Sequence, residues 1–532
     1  MISGDKRVPT LKDTYSLPRP LPQWPSSPQA AAAGGQKGGF ATGIINIGEL
    51  EIAMVKKFEG ICSIFPPGIW TNSGMSFFKP VSVPDGFHIF GHFSQPLDQK
   101  QLSTGYLLVA REAASRKTSN DPPLSFPVTF GYCWSTSSCY LWKPCPPCGY
   151  QAMGYVVTTS ADRPPRDTVV CVRDDLVLPL EIEDYEPFDF ASGKVSVMSS
   201  VIGANIGHIF ANDKVLTVRC LRNLNHTNVF EAMPNLEQVE ALIKHYGPTV
   251  YFHPDEVYLP SSVPWFINKG YSLDSQTGGD FCFDDDVMRG ANLEDAKLYA
   301  YVKPALGGIF TDIDMWIFFP AQGLERFTAL MLFNAELRKI DQHVGHWEHF
   351  TLRINNFDGQ LWRVYFSGHN GSGEWVDVGN LEYTQGTNKP IVYSSKSCHK
   401  TFPNAGKHIQ GYTKLGIGIG MELDAEKSDR FIDSSKKYQI IAAGYLGGVV
   451  AEPEWLKNMQ ECRPERVFYS GRAKLEKIIE KMPRFIQPLI HRLPLELYDE
   501  VRHPRPTQPT EPGMGMKDGN LYICIDGSVY SL

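Results

Sequence analysis

The stretch from Trp347 to Ile354 alternates apolar and polar residues in the way a β-strand does. One face of the predicted strand is apolar except at its start, where it carries a carboxylate, and consists of Glu348, Phe350, Leu352 and Ile354. An ionised carboxylate that leaves water needs a cation, a metal or several hydrogen-bond donors. The stretch therefore predicts a sheet strand that begins with a charged group in need of one of these partners.

Four histidines are candidate metal ligands near this carboxylate. His343 and His346 lie just upstream, and His369 and His399 follow later apolar runs. Imidazole and carboxylate groups are common ligands of divalent metals. The functional interpretation is that His343, His346, Glu348, His369 and His399 converge at one end of a β-sandwich around one divalent cation. We expect no other cofactor.

A second interpretation of the same residues stays open. Glu348 would lie at a strand end and reach solvent, and the histidines would be unconnected loop residues. Asp312 and Asp314, at the entry of another apolar run, are second-choice cation ligands, although charged residues at a strand entry usually stay in water. The spacing is not that of a zincin, because His-Glu-x-x-His is not present.

The region from about 43 to 223 contains a repeat. Pro84-x-Gly86-Phe87-x-x-x-Gly91 is echoed by Pro147-x-Gly149-Tyr150-x-x-x-Gly154, and an apolar run ending in arginine follows each copy, at Arg111 and Arg173. A degenerate third copy covers 206–211 and ends at Arg222. The glycines mark turns or close backbone approach. Three β-rich units of similar length predict a closed pseudo-threefold arrangement.

These patterns divide the chain into five parts and predict a mainly β protein. A helix over 234–246, with Asn235 as cap and Gln238 completing a capping box, marks the central boundary. The predicted parts are a disordered Pro/Ala/Gly-rich tail (1–39), a pseudo-threefold β-prism-like domain (40–230), a β-sandwich domain (235–452), C-terminal helices packed on the sandwich (453–500) and an irregular tail (501–532).

Composition and targeting signals narrow the class of protein. The net charge is −7 and the pI is about 6.1, which gives no general basic surface for nucleic acid. The N-terminus lacks the apolar core of a secretory signal, and no apolar run is long enough to cross a bilayer. We expect a cytoplasmic protein, peripheral on an endosomal or vacuolar membrane. The 11 cysteines are accordingly predicted to be reduced thiols.

The region from about 249 to 498 resembles the vacuolar protein sorting-associated protein 62 family, a plant family of unknown biochemical activity. The segments that carry the resemblance are 252–263, 302–313, 343–349, 373–377, 390–395 and 442–447. The resemblance covers most of the chain once the N-terminal half is included. It implies a trafficking role and brings no defined reaction.

Two fainter resemblances concern the separate domains. The second domain is similar to necrosis-inducing cytolysin-like proteins, whose Gly-His-x-His-Asp-Trp-Glu motif binds a divalent cation. His343, Glu348 and His369 fall on matching positions, but Gly345 and His346 stand where that pattern has His and Asp. Imidazole in place of carboxylate favours a transition metal over Ca²⁺ or Mg²⁺.

The first domain resembles the β-prism of endosomal-sorting subunits, which binds acidic membranes through an exposed basic and apolar loop. This resemblance implies an acidic membrane lipid or a sorting-machinery protein as partner. Residues 65–70 (Phe-Pro-Pro-Gly-Ile-Trp) are a candidate membrane wedge, with Trp70 as a core residue the alternative.

Three functions follow from these observations. The leading one is a non-catalytic peripheral membrane or vacuolar/endosomal trafficking-type binding protein. The alternatives are a metal-dependent hydrolase that uses Glu348 and the histidines, and a cytolysin-like protein that binds a glycolipid through a cation. Against the hydrolase, no residue stands out as a general base in addition to the ligands.

Overall fold

The computed structural model describes residues 17–25, 39–64, 75–96, 106–114, 120–136, 138–183, 188–190, 193–198, 207–209, 215–222, 232–271, 284–321, 326–329, 333–336, 344–367, 373–412, 419–457, 513–517, 520–525 and 528–531. These residues form two compact units. Unit 1 comprises 1–238, 304–311 and 354–360, and unit 2 comprises 239–303, 312–353 and 361–532. As predicted, the protein is mainly β.

Unit 1 is built from strands grouped in three successive sets. The first set is β1 (Ile44–Asn46), β2 (Leu50–Val55), β3 (Phe58–Ile64), β4 (Met75–Pro80), β5 (His88–Ile89), β6 (Phe93–Pro96) and β7 (Leu107–Glu112). The second is β8 (Leu124–Ser125), β9 (Thr129–Ser135), β10 (Tyr140–Cys145), β11 (Tyr150–Ala152), β12 (Val156–Thr158) and β13 (Cys171–Arg173). The third is β14 (Val177–Glu183), β15 (Phe188–Phe190), β16 (Gly193–Met198), β17 (Gly207–Ile209) and β18 (Val215–Leu221).

The strand pairing repeats three times in unit 1. Each set contributes a three-stranded sheet, in the orders β3-β4-β6, β12-β10-β9 and β15-β16-β17. In each set a strand near the start also pairs with the last strand, as β2 with β7, β8 with β13 and β14 with β18. The predicted pseudo-threefold arrangement is therefore confirmed in the strand topology.

The repeated glycines lie at equivalent turns. The Phe87 amide donates to the Pro84 carbonyl at 3.1 Å, and the Tyr150 amide donates to the Pro147 carbonyl at 3.2 Å. Gly86 and its counterpart in the second repeat, at position 149, have φ values of 78° and 80°. That left-handed backbone is open to glycine and costly for most other residues, which explains why the motif recurs.

One cysteine prediction is wrong. Cys62 on β3 and Cys139 before β10 form a disulfide with a Cα–Cα distance of 6.0 Å, although all cysteines were expected to be reduced. Both side chains are buried in an apolar cluster that also contains Phe77 and Leu141. Among the described residues, Cys133, Cys145, Cys148 and Cys171 are free thiols.

Part of the predicted N-terminal tail makes defined contacts within unit 1. The Trp24 indole donates to the Asp358 backbone carbonyl at 3.0 Å, and the side-chain amide of Gln238 (Nε2) donates to the Pro25 carbonyl at 2.8 Å. Trp24 also meets the Phe40 ring edge-on. The rest of the predicted tail, apart from residues 17–25 and 39, lies outside the described residues, as does the candidate wedge at 65–70.

The helices described are short. They are α1 (Leu236–Tyr246), α2 (Val263–Asn268), α3 (Asp285–Met288) and α4 (Glu454–Lys457). The predicted capping box of α1 is confirmed. The backbone amide of Gln238 donates to Asn235 Oδ1, and the backbone amide of Asn235 donates to Gln238 Oε1, both at 2.9 Å. Within the part of the chain that the structure describes, no helix has the length and apolarity needed to cross a bilayer.

Two sheets of unit 2 are built from β19 (Thr249–Phe252), β20 (Leu298–Ala305), β21 (Phe310–Ala321), β24 (Val344–Asn355), β25 (Leu361–Phe366), β26 (Glu374–Asp377), β27 (Ile391–Ser394), β28 (Thr401–Phe402), β31 (Phe431–Asp433) and β32 (Tyr438–Ala442). One is six-stranded, in the order β26-β25-β24-β21-β20-β32, and the other is four-stranded, in the order β28-β27-β19-β31. Two pairs are parallel, β19 with β27 and β20 with β32.

A further sheet of unit 2 has the order β23-β22-β30-β29, with β22 (Arg326–Ala329), β23 (Phe333–Glu336), β29 (Gly406–Tyr412) and β30 (Ile419–Ala425). The C-terminal tail differs from the prediction of an irregular segment. It contains a three-stranded antiparallel sheet of β33 (Gly513–Lys517), β34 (Asn520–Ile525) and β35 (Ser528–Ser531). Of the predicted C-terminal helices, α4 is described, and residues 458–500 lie outside the described residues.

Candidate functional site

The strand that carries Glu348 lies inside the six-stranded sheet and is covered on both faces. The Glu348 face is fully buried, as are Phe350 and Leu352 beside it. On the opposite face Trp347 packs against Tyr299 and Phe318, so this face is not left to solvent either. The interpretation in which Glu348 reaches solvent is therefore wrong, and the carboxylate needs a partner inside unit 2.

That partner is a lysine. Lys400 Nζ lies 2.9 Å from Glu348 Oε1, and both side chains are almost fully buried. The Ser367 hydroxyl donates to Glu348 Oε2 at 2.7 Å. His346 Nε2 lies 3.4 Å from Glu348 Oε1 and 3.2 Å from the Cys398 carbonyl oxygen. Each carboxylate oxygen thus has its own polar partner.

The surroundings keep Glu348 ionised. Burial alone would raise the pKa of Glu348, but the Lys400 ammonium, with the His346 ring and the Ser367 hydroxyl, outweighs that effect and holds the pKa well below the usual range of a glutamate. A carboxylate held in this state accepts hydrogen bonds and has little tendency to take up a proton. The geometry is that of a buried internal ion pair.

His399 lies next to this pair and faces a second buried carboxylate. Its Nε2 is 3.6 Å from Glu256 Oε2, and its ring stacks on Phe319 with 3.8 Å between centroids. Glu256 also accepts hydrogen bonds from the backbone amides of Tyr258 and Ser397, at 2.9 and 2.6 Å. Burial raises the pKa of Glu256, but His399 and these amides outweigh burial and leave it lowered.

The structure places the five predicted ligands unevenly. His346, Glu348 and His399 come together, with 5.5 Å between the two imidazole centroids. His343 and His369 lie outside the described residues. Within the described ranges, no three His, Cys, Asp or Glu side chains are arranged to hold a metal ion. The divalent cation therefore stays a prediction.

The donor atoms that are described do not fit a divalent cation. His346 Nε2 faces a carbonyl and a carboxylate oxygen, neither of which can donate, so this nitrogen carries the hydrogen. A metal needs a nitrogen lone pair instead. The oxygen of Glu348 that faces His346 is the one paired with Lys400. Sequence reasoning missed Lys400, although it directly follows the candidate ligand His399.

The second-choice ligands Asp312 and Asp314 are also occupied by internal cations. Arg353 donates to both oxygens of Asp312, through Nε and Nη2, at 2.8 Å each. Lys303 Nζ lies 2.9 Å from Asp314 Oδ2. Burial outweighs the effect of Arg353 and raises the pKa of Asp312. These carboxylates sit on the Trp347 side of the sheet and form structural ion pairs.

Comparison with known proteins gives one family and several remote structures. The family described as "Vacuolar protein sorting-associated protein 62" matches residues 11–283 and 280–518. None of the curated proteins matches the chain significantly. Among solved structures, "Crystal structure of GNIP1Aa from Chromobacterium piscinae" has 15% identity and a TM-score of 0.26, covering 37% of this chain and 40% of that chain.

Two other solved structures are described as "NLPPya in complex with glucosamine" and "Toxin fold for microbial attack and plant defense". The first has 13% identity, a TM-score of 0.22 and coverage of 31% of this chain and 67% of that chain. The second has 13% identity, a TM-score of 0.21 and coverage of 32% and 69%. TM-scores this low do not establish a shared fold.

Proposed function

Because the chain belongs to the vacuolar protein sorting-associated protein 62 family, we propose that it is a non-catalytic binding protein of vacuolar or endosomal trafficking that contacts acidic membrane lipid through unit 1. The observation that carries the membrane contact is an exposed apolar loop in the second repeat. We call it the β8–β9 loop, residues 125–128.

The β8–β9 loop presents apolar side chains to solvent on either side of a proline. Phe126 is 41% exposed and Val128 is 55% exposed, with Pro127 between them. Tyr132, on the strand that follows, is 58% exposed. Single exposed apolar residues are common on protein surfaces, but several in one short segment mark an interaction site. These side chains can enter the headgroup region of a bilayer.

An arginine is fixed at the same loop. Arg166 Nε donates to the Pro127 carbonyl at 2.9 Å, and the side chain is exposed. The guanidinium group is thereby held beside Phe126 and Val128, and guanidinium pairs well with phosphate and carboxylate groups of lipid headgroups. Since the whole chain has a net charge of −7, attraction to acidic lipid has to come from a local group of this kind.

Vesicle flotation tests the proposal. The full chain should float with phosphatidylcholine vesicles that contain phosphatidylserine and should not float with phosphatidylcholine alone. Val128→Asp should weaken binding about tenfold or more, because it replaces an inserted side chain by a charge that acidic lipid repels. Val449→Asp is the matched control, since Val449 is an exposed valine (63%) of unit 2 and should leave binding unchanged.

The two parts of the proposal fail in different ways. If the wild type does not float with acidic vesicles, membrane binding is wrong. If it floats and Val128→Asp floats equally well, the membrane contact lies elsewhere and the β8–β9 loop is excluded. Arg166→Gln separates the contributions, because it should reduce the dependence on phosphatidylserine and leave the apolar contact in place.

A further inference from the structure

We infer that the ammonium group of Lys400 is the resident cation of the buried site in unit 2, and that the position beside Glu348 takes no divalent metal while Lys400 is present. This inference concerns unit 2 and is independent of the proposed membrane contact. It assigns Lys400 the role for which the spacing of the histidines suggested a metal.

The first argument is the balance of charge. Glu348 and Lys400 are both almost completely withdrawn from solvent, with Nζ 2.9 Å from Oε1. One carboxylate and one ammonium group cancel, so a divalent ion placed beside the same oxygen would add uncompensated positive charge next to the ammonium group. Such repulsion is severe where water does not screen it.

The second argument is the direction of the hydrogen on His346. Its Nε2 points at the Cys398 carbonyl oxygen and at Glu348 Oε1, so it acts as a donor. A metal in this position would require that nitrogen to lose its hydrogen and both contacts. His346 Nε2 is therefore in the donor form, which suits these oxygens and cannot ligate a metal through this nitrogen.

The third argument is what removal of Lys400 would expose. Neither ring nitrogen of His399 makes a hydrogen bond within the described part of the chain, and the ring lies 5.5 Å from that of His346 between centroids. Without the ammonium group, Glu348 and these two imidazoles provide one carboxylate and two histidines, which are ligand types that suit Zn²⁺. In the described structure they are not arranged to hold a metal ion, so a zinc ion would have to draw these side chains together once Lys400 no longer neutralises Glu348.

The ion pair also joins the two main sheets of unit 2. Glu348 lies on β24 of the six-stranded sheet, and Lys400 directly precedes β28 of the four-stranded sheet. The neighbouring Thr401 hydroxyl donates to the His349 carbonyl at 3.0 Å, which ties the same two strands together. The Lys400–Glu348 ion pair thus links the two sheets at the place where a metal ion would otherwise link them.

The experiment measures zinc on the purified full chain. After incubation with Zn²⁺ and desalting, the wild type should carry well under one equivalent attributable to Glu348, and its unfolding midpoint should not change. Lys400→Met removes the ammonium group and keeps much of the stem, so it should bind about one additional equivalent and be stabilised by Zn²⁺. Lys400→Met/Glu348→Gln should lose that equivalent. Lys396→Met, a nearby lysine that pairs with the exposed Asp255, should behave like the wild type.

Two results would overturn the inference. One is stoichiometric zinc, calcium or magnesium in the wild type that Glu348→Gln removes. The other is a folded Lys400→Met protein that binds no more zinc than the wild type. If Lys400→Met does not fold, the wild type and Glu348→Gln decide alone, since equal metal content in the two supports the ammonium group and a Glu348-dependent equivalent excludes it.

Discussion

Unit 1 and unit 2 each bury a glutamate with a basic partner, but the chemistry of the two pairs differs. In unit 1, Arg173 Nη2 lies 2.7 Å from Glu49 Oε1, and Arg173 Nε also donates to Asp175 at 2.7 Å. In unit 2, Lys400 gives Glu348 a single ammonium contact, and hydroxyl and imidazole groups complete the set. A planar guanidinium spreads its charge over several partners, whereas an ammonium group acts as a point charge.

The difference follows from how each unit is built. Unit 1 repeats one motif, and the arginine near the end of β7 makes the corresponding kind of contact, with Arg111 Nε 2.7 Å from Glu51 Oε2. Loss of one arginine leaves equivalent contacts elsewhere in the unit. Unit 2 uses β24 once, and its two faces carry the Glu348 pair on one side and the Asp312 and Asp314 pairs on the other. Unit 2 should therefore be the more sensitive to single changes.

The largest effect is expected from breaking the Lys400–Glu348 pair. Lys400→Met leaves a buried carboxylate without its cation and should lower the free energy of unfolding by about 3–5 kcal/mol. The double variant Lys400→Met/Glu348→Leu should recover a large part of the loss, because neither charge remains. Chemical denaturation in the presence of a chelator, followed by the fluorescence of the tryptophans of unit 2, measures both.

A double variant as unstable as Lys400→Met would contradict this expectation. It would mean that the packing of the lysine stem, and not the charge, stabilises the site. Lys396→Met is the control for loss of a lysine that is less buried and pairs with an exposed carboxylate, and it should cost less than about 1 kcal/mol.

A pH effect is expected in unit 1, where His92 connects the first two repeats. The Val157 amide donates to His92 Nδ1 at 3.1 Å, and burial lowers the pKa of His92 to about 4 from 6.5. The folded state thus favours the neutral ring, so this stability is fully present above about pH 6.5 and is lost as the pH falls towards 4. A pKa shift of this size corresponds to a loss of about 3 kcal/mol in the free energy of unfolding when the ring becomes protonated.

The measurement is the amide hydrogen exchange of Val157 between neutral and acidic pH. The wild type should lose about 3 kcal/mol more protection than His92→Leu, which has no titrating ring at this position. His88→Leu is the control, because His88 lies on the neighbouring strand and is exposed, and it should follow the wild type. If the protection of the Val157 amide falls equally with pH in the wild type and in His92→Leu, the acid sensitivity belongs to other groups.

The two arginines test whether the repeats of unit 1 are equivalent. Arg173 is 8% exposed and Arg111 is 39% exposed in their side chains, although both lie near the ends of corresponding strands. Arg173→Lys loses the forked contacts to Glu49 and Asp175 and should cost about 2 kcal/mol. Arg111→Lys should cost less than about 1 kcal/mol, because its ion pair with Glu51 is more exposed to solvent than that of Arg173. Equal losses in thermal or chemical unfolding would show that burial does not distinguish the two pairs.

The sequence predicts the local turns and element starts of the chain better than it predicts which residues form ion pairs or a disulfide inside either unit. The Pro-x-Gly motif identifies the turns at Gly86 and Gly149 because only a few residues accept their backbone, and the capping box identifies the start of α1 for a similar local reason. Alternation likewise identifies the strand that buries Glu348. These features depend on neighbours in the chain, which a sequence displays directly.

The partners depend on residues that are distant in the chain. A buried carboxylate requires a cation, but spacing alone does not distinguish a lysine from a metal. The histidines around Glu348 favoured a metal, which stays a prediction, whereas the structure places the Lys400 ammonium group beside this carboxylate. The Cys62–Cys139 disulfide was missed because the N-terminal sequence favoured a reducing compartment, and cysteines 77 residues apart give no spacing that would have indicated the pairing. In both cases the pairing of strands in the folded protein determines which residues meet.

The smallest effect is expected at the repeated turns, where it measures how closely the repeats of unit 1 correspond. Gly86 and Gly149 have φ values of 78° and 80°, and a Cβ at either position would meet nothing within 4 Å. Alanine should therefore cost only the backbone strain, about 1 kcal/mol at each site, and the two costs should be equal and additive. Thermal unfolding of the two single variants and the double variant checks this. A cost several times larger at one site would show that its turn carries contacts that the other lacks, and the redundancy attributed to unit 1 would then be confined to its strand pairing.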